Sequence, residues 1–353
     1  MGFRTKRRRG VALGTAVALV ALLGACGDSD DDDEGATTTE PAETTTTVEA
    51  PDSYIVGAGV NDPEDVNIAV LQFLPKELTV PVGETVTWEW NGPEPHSVTF
   101  LAPGQEIPNP EEDDSLFAPT PPEGPYDGST LVNSGLQPLG PDAPAPFEVS
   151  FSKAGEYPFY CVIHPLMVGS LTVAEEGEEV DTFGDVANRG AQEKAGYLEE
   201  GRAAKAALVE AEPVKTANPD GSTNWTVQMG VTTTNVDVLA FAPTPAEIEA
   251  GDSVTFVNES LAPHTASFFG TGAEPIESPV DPRVGPPAPG ASPQALSSEG
   301  FFNTGLLPPN APPGAGPPIA VRSFTFTVPA AGTYEYVCLL HAPSGMAGTI
   351  TAA

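Results

Sequence analysis

Cys161, His164 and Met167 fall within the run YCVIHPLMVGSLTV at 160–173, and Cys338, His341 and Met346 follow in the same order within VCLLHAPSGMAGTITA from 337. In all, the 353-residue chain has only three cysteines, four histidines and four methionines. The other two histidines, His96 and His264, stand upstream in the similar runs NGPEPHSVTF and NESLAPHTASF. Every histidine is therefore used in a repeated set, and so is every cysteine except Cys26. Two imidazoles and one thiolate bind copper in a trigonal plane, with a weak axial thioether completing the set. Thiolate and thioether suit Cu(I), and imidazole suits both oxidation states, so a one-electron change demands little rearrangement. The expected ligands are His96, Cys161, His164 and Met167 in one set and His264, Cys338, His341 and Met346 in the other, for two coppers per chain. Zinc also accepts cysteine and histidine, but the repeated methionine argues against it. A Cys161–Cys338 disulfide is a second use of the thiols in an oxidising compartment. Against it, each cysteine has its own pair of histidines.

The segments that must hold these residues are repeated too. Leu71-Gln72-Phe73-Leu74-Pro75 matches Leu239-Ala240-Phe241-Ala242-Pro243, and VGETVTWEWNGPEPHSVTF matches AGDSVTFVNESLAPHTASF, aligning Trp88 with Phe256 and His96 with His264. Asn133-Ser134-Gly135 matches Asn303-Thr304-Gly305, and FEVSFSKAGEYPFYCVIH matches FTFTVPAAGTYEYVCLLH. The spacing between partners widens along the chain, so strands correspond while loops differ in length. In ETVTWEW and FEVSF, apolar and polar residues alternate between Gly and Pro punctuation, the pattern of half-buried strands. Several such strands per unit predict an all-β protein of two β-sandwich domains. Between them DVANRGAQEKAGYLEEGRAAKAALVEAE contains no proline and is rich in Ala, Glu and Lys, which predicts a largely helical linker. The expected boundaries are 54–175 and 214–353 for the two domains and 176–213 for the linker.

These ligand runs resemble the cupredoxins, the plastocyanin and azurin family. Cys161-x2-His164-x2-Met167 has the spacing of the amicyanin ligand loop, and Cys338-x2-His341-x4-Met346 that of plastocyanin and pseudoazurin. Each is followed by M-x-G-[ST]-[LI]-T, and each is preceded by an AG-x-Y turn. The resemblance implies two Greek-key, cupredoxin-like sandwiches, each with a type 1 (blue) copper at one end. It also implies that the loop histidines, His164 and His341, reach the surface through an apolar patch and pass electrons there. One departure is that Ser97 and Thr265 stand where plastocyanin has Asn after the first histidine, which puts the hydrogen bonding around the sulfur in question. Multicopper oxidases and copper nitrite reductases share these domains but need further histidines, and this chain has none to spare. The protein is read as an electron carrier and not an enzyme. Copper capture without redox traffic, or a structural surface module, are the alternative roles.

Composition bears on location and partners. Acidic residues number 49 against 14 basic, and five of the basic ones lie in the first nine positions. Such a chain repels nucleic acid and favours a partner with a basic docking surface, here an unidentified redox protein. The basic start precedes an apolar run, Val11 to Leu23, shorter than the ~20 residues that span a bilayer. It has the form of an export signal. Its end, Leu23-Gly24-Ala25-Cys26, resembles the lipobox of bacterial lipoproteins, which implies lipidation of Cys26. Residues 1–26 are then a lipoprotein signal peptide, and the acidic, threonine-rich stretch 27–53 a disordered tether. The expected location is outside the cytoplasmic membrane, anchored to its outer face.

Overall fold

A computed structural model describes residues 51–107, 114–138, 144–245, 248–274, 285, 287, 290–310 and 322–353. Cys26, the export signal and most of the proposed tether lie outside these residues. The described residues belong to one compact unit, Thr47–Ala353. Among them, no helix is long and apolar enough to cross a membrane.

The fold is mostly β, with one long helix. The first repeat supplies β1 (Tyr54–Asn61), β2 (Ile68–Leu74), β3 (Glu77–Pro81), β4 (Thr85–Asn91), β5 (Thr99–Phe100), β6 (Val132–Asn133), β7 (Phe147–Ser150), β8 (Gly155–Tyr160) and β9 (Val168–Ala174). Helix α1 (Phe183–Glu210) follows. The second repeat supplies β10 (Val214–Ala217), β11 (Thr223–Thr232), β12 (Val236–Ala242), β13 (Ser253–Asn258), β14 (Ser267–Phe269), β15 (Gln294–Ala295), β16 (Phe301–Asn303), β17 (Ser323–Thr327), β18 (Gly332–Val337) and β19 (Ala347–Ala352). In the first repeat, β2-β1-β4-β7 faces the sheet β3-β9-β8-β5-β6; in the second, β12-β11-β13-β17-β15 faces β16-β14-β18-β19. The alternation read in β4 and β7 is realised: Val86, Trp88, Trp90, Phe147 and Val149 are all buried. Trp88 makes edge-on contacts with Phe100 and Phe159, joining the two layers of its sandwich.

The two sandwiches share a sheet. β2 and β12, which occupy equivalent places in the two repeats, pair antiparallel in one ten-stranded sheet, with Val70 opposite Val236, Ala69 opposite Asp237 and Ile68 opposite Val238. Leu71 N–H donates to the Asn235 carbonyl at 2.8 Å, and its counterpart Leu239 N–H donates to the Asn67 carbonyl at 2.7 Å. Each repeat thus presents the same patch to the other, the self-complementary logic of a two-fold dimer contained in one chain. Pairing also removes two exposed sheet edges that would otherwise invite association.

Helix α1 lies across this joint. Thr182 caps it, accepting from Asp185 N–H while the Asp185 carboxylate accepts from Thr182 N–H, and such a reciprocal box satisfies two of the free donors of a helix start. Leu198 packs with Val60, Ile68, Val70, Leu74 and Val236, residues of both repeats. Leu208 packs with Val238 and Ala242. Gly201 sits directly over the joint, where an added Cβ would come within 2.4 Å of Ile68 Cγ2 and 2.8 Å of Val236 Cγ1. Arg202 reaches Asp62 at 2.6 Å and Lys205 reaches Asp65 at 2.6 Å, fixing the helix to the β1–β2 turn.

Candidate metal centres

Each ligand loop is built in the same way. β8 ends at Tyr160, and Cys161 N–H donates to the Met167 carbonyl at 3.0 Å; Met167 N–H donates back to the His164 carbonyl at 2.9 Å. In the second repeat, Cys338 N–H donates to the Met346 carbonyl at 2.9 Å and Met346 N–H to the His341 carbonyl at 3.1 Å. The longer loop absorbs its two extra residues in a turn, with Ser344 N–H also bonded to the His341 carbonyl. Cys161, Met167, Cys338 and Met346 are all buried in the cores of their own repeats.

The distant histidines come from the β4–β5 and β13–β14 connections rather than from a strand. His96 exchanges backbone hydrogen bonds with Gln137, and His264 with Leu307. These pairings aim the imidazoles at the loops. His96 Nδ1 lies 3.0 Å from His164 Nδ1, which is 3.5 Å from Cys161 Sγ. His264 Nδ1 lies 3.1 Å from His341 Nδ1, and Cys338 Sγ is 3.7 Å and 3.4 Å from the two rings. Both triads keep their ligand atoms within 4.8 Å of one another. Cys161 and Cys338 are free thiols. Burial pushes each thiol up, but the adjacent imidazoles outweigh it, led by His164 at the first site and His341 at the second, and hold both well below the usual thiol range. Two imidazole nitrogens and a thiolate facing one point are a donor set for a soft cation, and they fit copper. Six of the eight expected residues are thus brought together as candidate donors; Met167 and Met346 are held in the same cores by the backbone bonds that close the loops.

Ser97 and Thr265 settle the question raised by their departure from Asn. Ser97 N–H points at Cys161 Sγ at 3.4 Å, and its hydroxyl accepts from Val162 N–H at 2.9 Å. Thr265 does the same for Cys338 Sγ at 3.4 Å and Leu339 N–H at 2.9 Å. A hydroxyl thus ties the distant histidine's segment to the ligand loop, leaving the sulfur one N–H donor from the backbone.

Two glycines escaped the sequence reading. Gly59 and Gly230 occupy the left-handed region, with φ of 72° and 71°, at irregularities in the β1–β2 and β11–β12 pairings. A Cβ at Gly59 would fall 2.1 Å from His96 Nε2, and one at Gly230 2.9 Å from His264 Nε2. The bulge and the close approach both require glycine. Gly59→Ala is expected to weaken copper binding at the first site about tenfold or more, as loss of a ligand's support typically does. Copper titration in a Cys338→Ala background checks this, and the second site, titrated in a Cys161→Ala background, should be unaffected.

One expectation fails. The loop histidines do not open to solvent through an apolar patch. His341 is 4% exposed and His164 only slightly more open, although Pro165, Leu166, Ala342 and Pro343 are exposed. The β2–β12 pairing turns the two ligand loops toward each other, with a carboxylate between them. Glu94 Oε1 lies 3.8 Å from His164 Nε2 and 3.6 Å from His341 Nε2. Burial pushes this carboxyl up, but His341, then His164 and His96, outweigh burial and hold it at about 2.

Residues 60–174 match the family of copper binding proteins of the plastocyanin/azurin type. A plastocyanin from Scenedesmus fuscus is 32% identical over 126 residues, covering 36% of this chain and 96% of that protein. The chain belongs to the plastocyanin/azurin family. Among solved structures, a reduced-state amicyanin variant aligns at 21% identity over 35% of this chain and 83% of its own, with a TM-score of 0.23. The Cu(I) form of a second amicyanin variant aligns at 21% identity over 36% of this chain and 86% of its own, with a TM-score of 0.23. Copper is the metal of the family, and the protein has two candidate places for it among its described residues.

Proposed function

We propose that this family member is an extracytoplasmic electron carrier with two type 1 copper sites per chain, His96/Cys161/His164/Met167 and His264/Cys338/His341/Met346, and that it is not an enzyme. The observation that carries this reading is the duplicated triangle of two imidazole Nδ1 atoms and one thiolate, each built from the same positions of its repeat. Bound copper supplies a one-electron Cu(II)/Cu(I) couple. The chain's own contribution is to hold three donors in place whether or not the charge has changed. The backbone bonds within each loop and the Ser97 or Thr265 tie keep the thiolate from moving, and the buried aromatic cores behind it keep water away. A site fixed in this way spends little energy on rearrangement, which is what rapid electron exchange needs. The test is copper analysis with visible and EPR spectra of the purified protein. Two coppers per chain, an intense thiolate-to-Cu(II) band and reversible one-electron reduction are expected; colourless, redox-inert protein with copper bound would refute the assignment.

Anchoring belongs to the same proposal. Cys26 becomes lipidated and holds the copper unit at the outer face of a membrane by an acidic tether, where a redox partner with a basic surface docks. Labelled fatty acid should enter the wild type and be absent from Cys26→Ser. Release of unmodified wild-type protein into the medium would count against it.

A further inference from the structure

We propose that the two centres form an internal electron relay, joined edge to edge by His164, Glu94 and His341. This rests on both sites holding copper, as proposed above.

Each loop imidazole turns Nδ1 toward its own triad and Nε2 toward the same oxygen of Glu94. The two Nε2 atoms are therefore no farther apart than the sum of their distances to that one atom. A ring nitrogen whose partner binds metal keeps its proton and donates it to a carboxylate or carbonyl, which fixes tautomer and orientation. Here one carboxylate oxygen faces two rings from two repeats, as a charge contact at 3.8 Å to His164 Nε2 and 3.6 Å to His341 Nε2, just beyond hydrogen-bond length. In the aligned runs the second repeat has Ala262 at the position of Glu94. Glu94 is 6% exposed, so solvent does not take its place.

The surroundings hold this arrangement rigid. The β2–β12 pairing sets the distance between the repeats. Across it, Asn67 Nδ2 donates to the Ser344 carbonyl in the second ligand loop at 2.6 Å. Gln72 Nε2 faces the Leu166 carbonyl of the first ligand loop at 3.3 Å and the Thr234 carbonyl of the second repeat at 3.4 Å. Each ligand loop is thus tied to the joint by a side chain of β2 or its preceding turn.

Electron tunnelling weakens steeply with distance and is helped by close contact between groups. A path of ring, carboxylate and ring is far shorter than any route through a sandwich. In the transfer, Cu(I) at one site becomes Cu(II) and Cu(II) at the other becomes Cu(I). One electron moves, no bond is made or broken, and the protons on both Nε2 atoms stay where they are. The relay also explains why the loop histidines are buried: they face each other instead of an external partner.

The test uses the full chain with both coppers bound and one electron per chain. NMR exchange spectroscopy follows amide signals assigned to each repeat, so the centres are told apart by sequence. Copper content is measured first, so that failure to hold two coppers refutes the function above and is not mistaken for failure of the relay. The expected exchange rate is independent of protein concentration, and Glu94→Gln, which replaces the charged carboxylate facing both rings with a neutral amide, slows it at least tenfold. A rate proportional to protein concentration, or one within twofold of wild type in a Glu94→Gln protein holding two coppers, would overturn the relay. A second reading needs no electron flow. In the protein loaded with diamagnetic Ag(I), both loop histidines should show slowly exchanging Nε2–H protons, and Glu94→Gln should speed exchange of at least one by tenfold or more. Unchanged protons in that variant would show that Glu94 does not hold the rings, whether or not the variant keeps its copper.

Discussion

Cys161→Ala and Cys338→Ala are each expected to bind one copper where the wild type binds two, and to lose one of two thiolate-to-copper bands while keeping the other. The thiolate is the ligand whose charge and softness define the site, and the two remaining imidazoles cannot replace it. Each mutation also removes the sulfur that Ser97 N–H or Thr265 N–H faces. The damage should stay local. Alanine leaves a small cavity, with a cost of about 1–3 kcal/mol, and the other repeat has its own core. The double variant should be colourless and folded. Copper analysis with visible spectra checks all three proteins; a single variant that keeps both coppers would remove that cysteine from its site. Redox titration of the two single variants then isolates each centre. Their potentials should differ, because His264 Nε2 is hydrogen-bonded to Ser260 Oγ at 2.7 Å while His96 Nε2 packs against Gly59, and because the loops differ in length. For a one-electron couple a tenfold preference corresponds to ~59 mV.

The chemistry was legible in the sequence because it depends on scarce residues at fixed spacing. Cysteine, histidine and methionine repeated in order can hardly be core filler twice over, and the strands around them alternate plainly. What stayed hidden depends on the third dimension. β2 and β12 read as ordinary strands, IAVLQFL and VDVLAFA, and nothing in their composition says that they pair with each other rather than end their sheets. Ile68 to Val70 and Val236 to Val238 are nearly continuous buried runs, and that run length, unlike the alternation of β4, is the one signal of strands covered on both faces. Nothing local to Glu94, between Pro93 and Pro95, signals burial; the joint between repeats encloses it. Gly59 and Gly230 were lost among 36 glycines, since a bulge against an imidazole leaves no local pattern. The surface position of the loop histidines was carried over from single-domain relatives, and pairing of two domains removes the surface on which it depends.

That pairing makes stability a property of both repeats at once. Ile68→Asp is expected to destabilise the whole described unit, not the first repeat alone. Ile68 is 1% exposed, lies opposite Val238 across the joint, and packs with Leu198 of α1 and Val236. Truncating such a side chain costs about 2–5 kcal/mol, and a carboxylate without a partner costs more. A domain's whole stability is about 5–15 kcal/mol, so a large part of it rests on this contact. Because β2 pairs with strands of both repeats, β1 and β12, in one sheet, the wild type should unfold in one calorimetric transition. In Ile68→Asp the joint opens, and the two sandwiches, each keeping its aromatic core, should melt separately and at lower temperature. Val80→Ala, a change of similar depth in the first core but remote from β12, should lower the melting temperature without splitting the transition. Opening the joint also separates His164 from His341, so the same variant should retain two coppers in the cold while losing the rapid exchange between them. A single undivided transition in Ile68→Asp at the wild-type temperature would mean that the shared sheet does not couple the repeats.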